Sequence, residues 1–167
     1  MKTEMAIIAA AVSAGLTAAC GQKPSDKVAV YKSNMHEGLD VFDLEQGMLS
    51  LHSGEVGTRN FPPTEFGGSL EYCSTAQFHC LRTALHVAVP KGEMMSGWSV
   101  DGITCAARRQ GEAGDVHYVS CRAGPDTQVK FLYSKERGIT AYRRICSECE
   151  PEVYRLARGT GLFSRKG

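Results

Sequence analysis

Cys105 and Cys121 stand at equal distances from Ala113, each eight residues away. The segments that carry them, Ile103 to Arg109 and Asp115 to Ala123, read as strands. A tip at Glu112-Ala113-Gly114 joins them, and Gly114 can supply the positive φ that a tight hairpin turn requires. Folding the chain back about Ala113 sets Cys105 opposite Cys121 and Ala107 opposite Val119 on one face. It sets Arg108 opposite Tyr118 on the other. Directly opposed residues of an antiparallel pair have Cα atoms roughly 4.5–5.5 Å apart, within reach of a disulfide. A slip of one residue would break the pattern, the turn and the cysteine pairing together. The predicted unit is a disulfide-bridged β-hairpin.

Period-two patterning recurs along the chain, and helical periodicity is weak throughout. Ala84 to Val89 places Leu85, Val87 and Val89 on one face and ends at Pro90-Lys91-Gly92. Its other face carries Ala84, His86 and Ala88. Gln128 to Tyr133 groups Val129, Phe131 and Tyr133, and a turn with Gly138 in the left-handed position leads into Ile139 to Ile145. Shorter candidate strands are Val28 to Tyr31, Leu39 to Leu44, Met48 to His52 and Leu70 to Cys73. Cys73 and Cys80 are symmetric about Ala76-Gln77, although Ser74 to Phe78 also fits a helical turn. Pro151 to Arg158 reads equally well as a short helix, with Pro first and Gly159 beyond its end, or as a strand. No repeat, low-complexity tract or linker divides the chain after Lys27. These signals predict a mainly β fold: one domain of antiparallel strands and hairpins, as a meander, sandwich or partly open barrel. It is stapled by disulfides and holds at most one or two short helices.

The 167 residues suffice for one domain, and a hydrophobic share of 43% with 22% charged residues excludes wholesale disorder. Residues 1–19 stand apart from that domain. Lys2 gives a weakly basic start, partly offset by Glu4, and Met5 to Ala19 carries no charge. The run is shorter than the roughly 20 apolar residues of a membrane span and suits a cleavable export signal. It ends in Leu16-Thr17-Ala18-Ala19-Cys20. This ending resembles the lipobox of bacterial lipoproteins, in which small residues precede a lipidated cysteine. Thr17 stands where that pattern usually has Leu, and Leu16 lies one place earlier.

The resemblance implies a signal peptide over 1–19, lipid attachment at Cys20, a tether over 20–27 and an envelope domain over 28–167. Gly21-Gln22-Lys23-Pro24-Ser25-Asp26-Lys27 is polar with Gly and Pro, as a flexible tether should be. Several acyl chains on one cysteine hold a protein stably on a membrane. In Gram-negative lipoproteins Gly rather than Asp after the cysteine favours the outer membrane, here facing the periplasm. Setting Cys20 aside turns seven cysteines into an even set for an oxidising compartment. Neighbour pairing is the expected arrangement: Cys73 with Cys80, Cys105 with Cys121, Cys146 with Cys149.

Cys146-Ser147-Glu148-Cys149 is the one motif with a mechanism of its own. Two thiols at this spacing serve thiol–disulfide exchange, one attacking and the other resolving. Arg143 and Arg144 upstream favour a thiolate, whereas Glu148, Glu150 and Glu152 disfavour it. The flanking βαβ pattern of a thioredoxin-like protein is missing, so a structural bridge is the preferred reading. Zinc would need two close ligand pairs, and only one C-x2-C accompanies His36, His52, His79, His86 and His117. No metal or other cofactor is expected. Hydrolase elbows, zinc-protease helices and phosphate loops are absent from the sequence. Trp98 reads as a core residue.

The formal charge of +1 gives no bulk case for nucleic acid. It is unevenly spread: residues 20–100 hold 6 basic and 9 acidic residues, residues 101–167 hold 12 and 8. Arg108-Arg109, Arg143-Arg144 and Arg155 with Arg158 form either a basic surface facing lipid headgroups or an anionic envelope polymer, or a charge-guarded sheet edge. The expectation is a lipid-anchored envelope protein that binds or supports other envelope components without catalysis. The alternative is a periplasmic oxidoreductase using Cys146 and Cys149.

Overall fold

The computed structural model describes residues 27–35, 37–53, 65–83, 85–111, 115–146 and 152–165. Every element in them is a strand, and all pairings are antiparallel. The first four are β1 (Val28–Ser33), β2 (Gly38–Asp43), β3 (Met48–Ser53) and β4 (Glu65–Ser69), paired in succession. A second meander runs through β8 (Gly97–Val100), β9 (Ile103–Arg109), β10 (His117–Ala123), β11 (Gln128–Ser134) and β12 (Gly138–Ile145). The last strand, β13 (Tyr154–Arg158), inserts between β1 and β12 and joins the two meanders into one sheet of ten. Between the meanders in sequence, β5 (Tyr72–Ser74), β6 (Phe78–Leu81) and β7 (Val87–Pro90) form a separate three-stranded sheet.

The small sheet lies against β9 and β10 through β7. Alternation explains the layering. Val129, Phe131 and Tyr133 of β11 are buried and Gln128, Lys130 and Leu132 only partly so, as period two demands of a sheet with one covered face. In β7 all four residues are buried, because this strand is covered on both faces. One apolar cluster unites Phe42 and Leu49 of the first meander, Leu81, Val87 and Val89 of the small sheet, and Val119 and Phe131 of the second meander. Trp98 is buried within it, as expected of a core residue.

The predicted strand over 84–89 is displaced. His86 has φ 52°, a left-handed conformation outside the β region of a non-glycine strand residue, so β7 starts at Val87 and His86 precedes it. The alternative helix from Pro151 does not form in the described residues, since Tyr154 to Arg158 is strand β13. Register explains the choice. Tyr154 pairs with Tyr142 and with Ser33, so the segment satisfies two neighbouring strands at once. The turn before β12 is as predicted, with Gly138 at φ 70°. A Cβ there would also collide with the backbone carbonyls of Gly161 and Leu162, where the C-terminal segment crosses the β11–β12 turn.

Candidate functional site

The cysteines form the first group. Cys105 and Cys121 face each other in β9–β10 with Cα atoms 4.1 Å apart, and they are bonded. Ala107 faces Val119 and Arg108 faces Tyr118 in the same register, as the symmetry about Ala113 requires; the tip at 112–114 lies outside the described residues. Cys73 and Cys80 are likewise opposed in β5–β6, bonded, at 5.1 Å, so the helical turn is not adopted. Cys80, Cys105 and Cys121 are buried, and both sulfurs of the second pair lie 3.7 Å from the Ala88 carbonyl of the small sheet. Cys146 is exposed just beyond β12 and is disulfide-bonded. Cys20 and Cys149 lie outside the described residues. No helix N-terminus follows Cys146 within the described residues to lower a thiol pKa.

A buried polar cluster forms the second group. Tyr31 of β1 faces Asp40 of β2, and β13 holds Tyr154 beside Tyr142 of β12. The Asp40 carboxylate, 2% exposed, accepts hydrogen bonds from the Tyr142 hydroxyl and, at 2.8 Å, from Arg144 Nη2. The Arg144 guanidinium spreads over both tyrosine rings, 5.3 and 5.5 Å from their centroids, and those rings stack at 5.2 Å. Glu152 accepts from the Tyr154 hydroxyl at 2.9 Å and from Ser33 Oγ. Burial, then the neighbouring Asp40 carboxylate, pushes the Tyr142 phenol far up despite Arg144, and the same two causes raise Tyr154. Neither hydroxyl is a base at neutral pH. The cluster holds β1, β2, β12 and β13 together, and its parts satisfy one another.

The third group is on the opposite face of the large sheet. Successive pairings form one row across six strands: Arg108, Tyr118, Leu132, Ala141, Arg155 and Lys32. The neighbouring outward row contains Ser120, Lys130 and Arg143. Between them runs a shallow groove of about 350 Å³, with Leu132 and Ala141 in its lining and Tyr118, Lys130, Arg143 and Arg155 around it. Arg108 caps Tyr118, its guanidinium 4.9 Å from the ring centroid. Lys130 directly faces Arg143, and Lys32 directly faces Arg155. No carboxylate among the described residues forms an ion pair with any of these four.

Sequence reasoning found the arginines of this face and missed the lysines, because Lys32 and Lys130 become their neighbours only through strand pairing. Arg143 and Arg144, adjacent in sequence, do not act as one feature. Alternation sends Arg143 outward and Arg144 inward to Asp40. Nor is the face an edge: β4 and β8 are the outer strands. His79 stacks on Phe163 at 5.6 Å and its pKa is lowered by burial and then Lys91; His117 begins β10, and His36 lies outside the described residues. Among the described residues no three of His, Cys, Asp and Glu converge as a metal-binding group, and no helix is long and apolar enough to cross a membrane. Comparison with family models, curated proteins and solved structures finds no match for this chain.

Proposed function

We propose that this is a lipid-anchored protein of the bacterial cell envelope, held by Cys20 in the outer membrane and facing the periplasm, with a non-catalytic binding role. The observation that carries the binding role is the outward face of β9–β13 and β1, where two pairs of cations oppose each other without a described carboxylate partner. Like charges directly opposed across strands are destabilising, so a partner of opposite charge accounts for their placement. The cross-strand bridges Cys73–Cys80 and Cys105–Cys121 fit an oxidising compartment. Intact-mass measurement of membrane-extracted protein should show a lipidated Cys20 at the N-terminus, and Cys20→Ser should leave an unlipidated form. An unmodified Cys20 in the mature protein ends this reading.

The second reading is thiol–disulfide exchange at Cys146 and Cys149. The exposure of Cys146 is the observation in its favour. Against it stands the strand, not helix, from Tyr154. Purified protein should fail to reshuffle a scrambled disulfide substrate. Exchange activity that disappears in Cys146→Ser with the fold intact would promote the second reading over the first.

A further inference from the structure

We infer that the outward basic face is a docking surface for anionic phospholipid headgroups of the leaflet that holds Cys20, so that the domain lies flat on its own membrane. The inference rests on the lipid-anchor reading and goes beyond it, because a tether alone leaves the domain free to tumble.

Three observations carry it. The first is charge. Lys32, Lys130, Arg143 and Arg155, with Arg108 at the end of the row, are cations on one continuous face, and no described carboxylate forms an ion pair with the first four. The second is shape. The row from Lys32 to Arg108 crosses five inter-strand steps, about 24 Å at the usual strand spacing. It presents an array wide enough to meet several headgroups at once, with Tyr118 as the amphipathic aromatic that suits a membrane interface. The third is placement. Lys32 belongs to β1, the strand that the tether enters, four residues after Val28. From Cys20 to Val28 the chain reaches at most about 28 Å, comparable with the width of the face. A lipid at Cys20 therefore keeps the leaflet within range of every cation in the row. Guanidinium groups bind phosphodiester oxygens through paired N–H donors; lysines add point charge.

The test uses the mature chain from residue 20 with Cys20→Ser, so that no acyl chain contributes, and sedimentation with vesicles. Binding is expected to vesicles containing phosphatidylglycerol and not to pure phosphatidylcholine, and to weaken steeply with salt. Each cation removed should weaken binding roughly fivefold, the equivalent of about 1 kcal/mol per basic residue at an anionic surface. Lys32→Gln, Lys130→Gln, Arg143→Gln and Arg155→Gln together should cost several hundredfold. Arg82→Gln and Lys91→Gln, away from the face, should cost little. Equal binding to both vesicle types, or an unchanged affinity in the fourfold variant, overturns the inference. So does binding of a soluble anionic polysaccharide through these cations while vesicles are ignored. None of these outcomes depends on Cys20, whose lipidation is read separately by mass, so the two ideas fail independently.

Discussion

At the residue scale the buried Asp40 decides most. Its carboxylate is held by Tyr142 and Arg144, and removing it strands a cation among aromatic rings. Asp40→Ala should lower stability by about 3 kcal/mol, the lower end of the cost of breaking a buried pair, since part of Arg144 reaches solvent. Urea unfolding would show it as a fall in midpoint with the slope kept. The tyrosines make a separate demand on pH. Burial raises Tyr31, Tyr142 and Tyr154 above the ordinary phenol value of about 10, with Asp40 contributing at the last two. The unfolded chain therefore releases these protons at lower pH than the folded one. Stability is full below about pH 10 and falls as pH climbs toward the folded values. Tyrosinate absorbance should consequently rise together with loss of β-sheet signal in an alkaline titration. Reversible ionisation of all the tyrosines near pH 10, with the fold intact, would contradict this.

At the element scale strand register gives the sequence its meaning. Removing Cys105 and Cys121 together, as Cys105→Ala and Cys121→Ala, should cost roughly 3 kcal/mol by the loop-entropy argument for a separation of 16 residues. Peptide mapping without reduction should recover the two cysteines in one linked pair. The opposed cations predict the reverse sign. Arg143→Gln should raise stability by up to about 1 kcal/mol at low salt by relieving Lys130, and the gain should shrink as salt is added. No gain at any salt concentration would mean that the pair is already neutralised. Both hairpin bridges were legible in the sequence because symmetry about a turn is local information. The β11–β12 hairpin was legible too, since Gly138 and the alternation on either side fall within a few residues. The face with Lys32 and Lys130 was not, because Lys32 meets Arg155 only by a pairing that spans most of the chain. The break at His86 is hidden in the sequence for another reason. Period two continues through it in sequence, and nothing local reveals the left-handed φ that breaks the strand.

At the scale of the whole molecule, the last strand of the chain completes a sheet that the first strand begins. Val30 pairs with Arg158, and Tyr31 with Leu156. Tyr31 Oη also donates to the Ile139 carbonyl at 2.8 Å and accepts from the Leu162 amide at 3.0 Å, so the C-terminal segment closes on the same seam. The two meanders can each form from neighbours in sequence, whereas the β1–β13 seam requires closure of a loop of more than a hundred residues. Loop entropy opposes that closure until other contacts exist to offset it. Docking of β13 against β1 should thus follow the rate-limiting step of folding. Leu156, partly buried against the core, provides the probe. Leu156→Ala should destabilise by about 1–2 kcal/mol, less than a fully buried leucine, which is large enough for a reliable kinetic ratio. The loss should appear almost wholly as faster unfolding, with the refolding rate of the disulfide-intact chain nearly unchanged. Val119→Ala, in the bridged β9–β10 hairpin, should by contrast slow refolding. If Leu156→Ala slows refolding by the full equilibrium factor, the terminal strand belongs to the nucleus, and the meanders do not form independently of the seam that joins them.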